Sequence, residues 1–203
     1  STLFPYTTLF RSNTYSNIAG ATTATYDPPN ITATRYFRRI VTSGTCTDVS
    51  NAVAINILLA ISNNTIDPDQ SSCGTFAAPA TLTGSNPAGG TGVYTYQWQE
   101  SINGGVTWTD ISNAINQSYT PGTVTQTTQY RRVVFSLPCT GISNTVQITI
   151  IPPIANNTIG NYQSFCSPGG DPAVISGPAV TGGTGVYSYQ WQESTDNGGT
   201  WTN

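Results

Sequence analysis

Tyr94, Tyr96 and Trp98 alternate with Thr95, Gln97 and Gln99. A large ring at every second position marks a strand with one face in a core and the other in water. The pattern predicts a strand over residues 93–101, with Tyr96 and Trp98 on its buried face. A second alternating run predicts a strand over 127–136 that brings Tyr130 into the same core. Shorter runs predict strands at 24–26, 36–42, 49–58, 71–76, 80–84, 107–109, 117–120 and 143–151. Ser43-Gly44-Thr45, Asn103-Gly104-Gly105 and Pro121-Gly122 stand between them as turn signals. No segment carries the 3.6-residue apolar stripe of an amphipathic helix.

The central pattern occurs twice. YTYQWQES at 94–101 returns as YSYQWQES at 187–194, 93 residues later. The same offset carries Phe37 to Tyr130, Arg38-Arg39 to Arg131-Arg132 and Cys46 to Cys139. It also carries Asn63-Asn64 to Asn156-Asn157, Cys73 to Cys166 and Trp108 to Trp201. Such a period is too long for a solenoid unit and suits one small sandwich domain per copy. The expected architecture is therefore all-β: immunoglobulin-like sandwiches in tandem, one complete and two partial. Residues 13–60 are the back half of one copy, 61–153 a whole copy, and 154–203 the front half of a third. Pro152-Pro153 stiffens the join to that third copy. Only the middle copy has the strands to bury a full core. Residues 1–12 break the pattern, because the counterpart of Trp98 there is Pro5. STLFPYTTLFRS resembles a translated sequencing-adapter read of the kind that contaminates metagenomic gene models, and is expected to be foreign.

Composition narrows the function. Charged residues make up 7% of the 203 residues and the net charge is −3. A sequence pI near 4.5 with six scattered arginines argues against a nucleic-acid partner. The longest apolar run, 52–61, is interrupted by Asn56 and is too short to span a bilayer. Histidine is absent, so a Ser-His-Asp arrangement is ruled out. The nine carboxylates form no paired set of the kind hydrolases use. No enzyme activity, cofactor or metal is expected, with one candidate exception: Asp67 and Asp69 flank Pro68 and offer two carboxylates to calcium. Calcium normally takes six or more oxygens, and the matching residues Gly160-Asn161-Tyr162 carry none.

Three further groups are singled out. Trp108 follows a tight turn on an expected edge, as either a rim-packing residue or a ligand contact. Arg131 and Arg132 occupy successive strand positions, so one faces out and one faces the core rim, with Glu100 as the expected partner. The four cysteines lack metal-site spacing and fit an oxidising compartment. Two pairings repeat with the period. One joins Cys73 to Cys139 within the middle copy, closing 66 residues for roughly 4 kcal/mol. The other joins Cys46 to Cys73 and Cys139 to Cys166 across copies. The first is favoured, because Cys46 lies a whole strand, roughly 30 Å, before the next copy begins, and bridged Cα atoms sit within about 7 Å.

GGTGVYTYQWQES, TW, SYTP, YRRVV and SNTVQITI together resemble the tandem immunoglobulin-like repeats of very long bacterial cell-surface or secreted proteins. Such proteins are typical of gliding and environmental Gram-negative bacteria that use the type IX secretion route. The resemblance covers about residues 13–203. It implies an extracellular, non-catalytic stalk or adhesive array. Its partners would be neighbouring repeats of the same chain, surface glycans or other surface proteins. The competing expectation is a carbohydrate-binding module accessory to a secreted polysaccharide-degrading enzyme, with Trp108 as its ligand contact.

Overall fold

The computed structural model describes residues 14–203; the expected foreign segment, 1–12, lies outside them. The described residues contain strands, turns and bends and no helix. The chain divides into two units, one ending at Ile57 and one running Leu58–Asn203.

The first unit holds β1 (Arg35–Phe37), β2 (Ile40–Ser43), β3 (Cys46–Val49) and β4 (Val53–Ile55). β1 pairs antiparallel with β4, and β2 with β3. Gly44, at φ +60°, turns the β2–β3 hairpin between Ser43 and Cys46. The two long strands expected here are each broken. Arg39 and Ser50 meet at the break: Arg39 N donates to Ser50 Oγ, and Ser50 N donates to the Arg39 carbonyl, both at 2.9 Å. The strand expected at 24–26 does not form. The Ala24 carbonyl instead accepts Arg39 Nη1 at 2.8 Å.

The second unit carries β5 (Ile66–Asp67), β6 (Gln70–Cys73), β7 (Thr83–Gly84), β8 (Thr95–Ser101), β9 (Thr109–Asp110), β10 (Thr128–Ser136), β11 (Cys139–Ile142) and β12 (Val146–Ile151). One sheet runs β6-β12-β10-β8-β9, with β11 also on β10. β6 is parallel to β12, and the other pairs in this sheet are antiparallel. A second layer is built from the β5–β7 pair and the bridges Leu82–Tyr119 and Phe76–Val124. Ile66, Leu82 and Val124 from this layer pack on Trp98, Tyr130, Val146 and Ile148 of the sheet. A two-layer all-β arrangement around one apolar core is what a β-sandwich requires.

Trp98 is the largest fully buried side chain. Its indole Nε1 donates to the Asn116 carbonyl at 2.9 Å, so its polar atom is satisfied. Tyr119 lies between Trp98 and Tyr130, with ring centroids 5.6 and 6.1 Å away. Tyr130 is buried beside it, while Tyr96 is half-buried.

Local contacts recur at the sequence period. Ser62–Ala88 and Glu100–Thr109 reappear as Ala155–Thr181 and Glu193–Thr202. Tyr94 Oη donates to the Gly89 carbonyl at 2.8 Å, and Tyr187 Oη to that of Gly182 at 2.7 Å. In the turn after β8, Asn103 Oδ1 accepts Ser101 Oγ and Thr107 N; in the later copy Asp196 Oδ1 accepts Ser194 Oγ and Thr200 N. These bonds hold the Asp196 carboxyl down at about 2. Burial does not recur with them: Trp191 and Trp201 are exposed.

Truncation of Trp98 should therefore cost far more than truncation of its copy. Trp98→Ala is expected to lose about 3–5 kcal/mol of the stability of the Leu58–Asn203 unit. Trp191→Ala should leave the same transition within about 0.5 kcal/mol of wild type. Urea denaturation followed by far-UV circular dichroism compares the two; equal losses would show that Trp98 is not the core.

Candidate functional site

β10 carries two arginines on opposite faces of the sheet. Its register against β8 sets Arg132 opposite Trp98 and Arg131 opposite Gln99. Directly opposed residues share a face. Arg132 is thereby carried inward with Trp98, and Arg131 outward.

Arg132 is completely buried. Nε and Nη2 both donate to Asn64 Oδ1, at 3.0 and 2.7 Å. Nη2 also reaches the Ser85 carbonyl at 3.0 Å, and Nη1 the Gln117 carbonyl at 2.7 Å. Its guanidinium carbon sits 5.0 Å from the centre of the Tyr96 ring. A side chain at Gly84 would collide with this guanidinium, so glycine there keeps its path open. Desolvation pushes the Arg132 pKa down, although a guanidinium stays protonated in proteins. Every acceptor named is neutral. The arrangement clamps the second layer to the sheet and is closed to an external anion.

The expected Glu100 partner is not used. Glu100 stands opposite Tyr130, two pairs along from Arg132. Arg131 Nε donates to Gln99 Oε1 at 2.7 Å, and Gln99 Nε2 donates to Asp110 Oδ1 at 2.7 Å. The positional reason is parity: Glu100 faces the inner side, whereas Arg131 is on the outer one. The Glu100 charge acts on the rings instead. Burial first, and Glu100 second, push Tyr130 up to about 12 and raise Tyr119 as well.

Trp108 lies half-buried on the outer face, with the Arg131 guanidinium 4.3 Å above its ring. Its Nε1 donates to the Gly105 carbonyl at 3.0 Å. One ring face is thus taken by the arginine. The stack recurs in the first unit, where Arg38 lies 4.0 Å over Tyr15.

The four cysteines are free thiols, and the expected Cys73–Cys139 bridge is corrected by the register. Cys139 pairs with Ser136 at one end of β10. Ile148 pairs with Thr128 at the other end, and Cys73 lies level with Ile151, three residues beyond. At about 3.3 Å per residue the two positions are roughly 35 Å apart along the sheet, far outside bridging range. Cys139 Sγ instead reaches the Leu59 carbonyl at 3.7 Å.

Asp67 and Asp69 turn to different partners. Asp67 Oδ1 accepts Thr83 Oγ1 at 2.9 Å, and Asp69 Oδ1 accepts Gln147 N at 2.7 Å. Among the described residues no three His, Cys, Asp or Glu side chains gather as a metal site.

Sequence reasoning missed Asn64 and Asn144. Asn144 Oδ1 accepts Ile66 N and its Nδ2 donates to the Ile66 carbonyl, both at 2.8 Å. The signal was their recurrence at the period, as Asn157 and Asn51.

A family model described as a domain of unknown function, DUF8696, matches residues 11–58 and 62–152. The chain belongs to this family. No curated protein matches it significantly. The matched DUF8696 segments contain both arginine pairs, Asn64, Asn144 and Trp98.

Two measurements test the clamp. Arg132→Lys, which cannot form the fork, should cost about 3 kcal/mol; Arg131→Lys should cost less than about 1 kcal/mol. Equal effects by urea denaturation would refute the asymmetry. The buried phenol adds an alkaline signature. Unfolded tyrosine ionises near 10.0, whereas folded Tyr130 holds its proton to about 12. Its contribution is full below pH 10 and is lost as pH rises through 12, on the order of 3 kcal/mol. Tyr130→Phe should flatten the decline in stability measured between pH 9 and pH 12.

Proposed function

We propose that this DUF8696 chain is part of a tandem array of immunoglobulin-like sandwiches. Its role is that of a non-catalytic stalk or adhesive array on a large, secreted bacterial surface protein. The carrying observation is the recurrence of one hydrogen-bond set at a fixed offset. Arg132 N with Ser143 Oγ and Nη1 with the Gln117 carbonyl correspond to Arg39 N with Ser50 Oγ and Nη1 with the Ala24 carbonyl. A unit repeated with its internal clamp is a structural module. In the middle copy the polar atoms of this set are used up by one another rather than turned toward a substrate. Among described side chains no buried nitrogen or oxygen lacks a partner.

Low charge, absent histidine and a glutamine- and threonine-rich outer face suit an exposed module meeting many weak partners through avidity. Neighbouring repeats are its first partners, with surface glycans or surface proteins as the contacts of an adhesive array. The carbohydrate-module reading depends on Trp108, whose covered face leaves less ring for a sugar. A glycan array giving reproducible binding that Trp108→Ala removes would favour that reading.

A stalk is extended. A compact 203-residue globule has a radius of gyration of roughly 17 Å. Small-angle scattering, extrapolated to infinite dilution, is expected to give more than about 22 Å, since modules joined end to end exceed the compact value. A value near 17 Å would reject the stalk.

A further inference from the structure

Arg131 and Arg132 are neighbours on β10 with different fates. The Arg132 side chain donates four hydrogen bonds inside the sandwich. The Arg131 side chain donates one, from Nε to Gln99 Oε1 at 2.7 Å. Among the described residues nothing accepts its Nη1 or Nη2. Those two nitrogens carry four of the five guanidinium N–H groups. The head is nevertheless held. Gln99 is itself fixed by Asp110, which accepts its Nε2 at 2.7 Å. Trp108 lies under the guanidinium at 4.3 Å, with its indole N–H tied to the Gly105 carbonyl. The direction of the fork is thus set before any ligand arrives, which is what bidentate capture of a carboxylate needs.

The stack recurs although it contributes little to the fold. Arg38 stands 4.0 Å over Tyr15, and both lie 93 residues before Arg131 and Trp108. We propose that the outer face of the sheet binds polysaccharides that carry uronic acids, with the free Nη edge of Arg131 taking a sugar carboxylate. The inference deepens the adhesive role proposed above and rests on it. Trp108 acts here as the platform under the arginine, so its covered ring face is part of the site.

The surroundings favour a sugar over an acidic peptide. Gln129 and Gln147 are paired on the same outer face, with Gln129 Nε2 donating to Gln147 Oε1 at 3.1 Å. A carboxamide both donates and accepts, as a sugar hydroxyl does. A peptide is usually taken at an open strand edge or in an apolar groove. Arg131 stands instead in mid-sheet, with β12 and β8 on either side of β10. The net charge of −3 disfavours non-specific attraction of a polyanion, so binding reports a local site. Asp110 opposes the ligand through its charge. Its counterparts are Asn17 and Asn203, and Asn203 Oδ1 accepts Gln192 Nε2 at the same 2.7 Å. Asp110→Asn therefore removes the repulsion and can keep the orienting bond.

The probe is a soluble galacturonate oligomer, titrated into the full chain and followed by 15N NMR. It should shift the Trp108 indole N–H and the Arg131 Nε–H signals and leave those of buried Trp98 and Arg132 in place. The Trp108 signal reads the affinity of this copy alone. Arg131→Gln should lower that affinity about tenfold or more. Arg131→Lys, which keeps the charge and loses the fork, should stay several-fold weaker than wild type. Asp110→Asn should bind roughly twofold tighter. No shift at Trp108 would overturn the proposal, as would equal binding of the methyl-esterified oligomer, full affinity in Arg131→Lys, or tighter binding of polyglutamate. A chain that scatters as an extended particle and binds no oligomer is a stalk without this site. One that binds and scatters as a compact globule keeps the site and loses the stalk.

Discussion

A guanidinium with no access to water must place five N–H groups in a fixed plane. Arg132 imposes that demand at the centre of the sandwich, and much of the surrounding sequence answers it. Asn64 supplies one oxygen to two donors, the Ser85 and Gln117 carbonyls each take one more, and Gly84 leaves the passage open. These partners come from the layer opposite β10 and its connections. The two layers are tied by direction-dependent bonds as well as by apolar contact. Burying a charge without a counter-ion costs several kcal/mol unless its hydrogen bonds are complete. A shift of one layer over the other would open these bonds together, so the clamp makes that sliding expensive.

The same fact explains why position along the chain matters more than residue type. Trp98 and Trp191 sit in near-identical local sequences, with the same neighbouring glutamines and the same turn behind them. Their local hydrogen bonds also agree: Gln97 Nε2 donates to the Trp98 carbonyl and Gln190 Nε2 to that of Trp191. What differs is the partner strand. β10 lies beside β8; among the described residues no long strand lies beside 187–194, whose one bridge is Glu193–Thr202. Local sequence fixes local turns, and burial comes from the distant strand.

The strands and the core were legible because alternation reports one face of one strand. Trp98 and Tyr130 follow from it, whereas Tyr96 is only half-buried; so does the break at Asn103-Gly104-Gly105, where both glycines take positive φ. The position of β6 along its neighbour was not legible. β6 pairs with the Ile148–Ile151 end of β12, at and beyond Thr128 and away from the Cys139 end of β10. Alternation reports a face and not a position along the neighbouring strand, so the disulfide expectation failed there. The Glu100 pairing failed on parity: the nearest opposite charge in sequence lies on the wrong face, and a neutral glutamine takes its place. The segment at 24–26 had strand composition but no partner, and its carbonyl was claimed by Arg39.

The choice of neutral acceptors has a consequence for an assembly of such units. A carboxylate opposite Arg132 would be satisfied only while the pair held, and separation would leave a second charge to be buried or resolvated. Asn64 and two backbone carbonyls carry no charge, so exposed Asn157, the counterpart of Asn64, is an ordinary amide, and exposed Arg39, the counterpart of Arg132, is a single cation. Such groups rest in water at little electrostatic cost, and the strong bonds of the clamp form only where both layers stand in register. Selectivity then lies in geometry: the guanidinium fork, the glycine passage and the indole must all meet together. A patch recognised by net charge could not impose that, and in a chain with 7% charged residues it has little charge to work with.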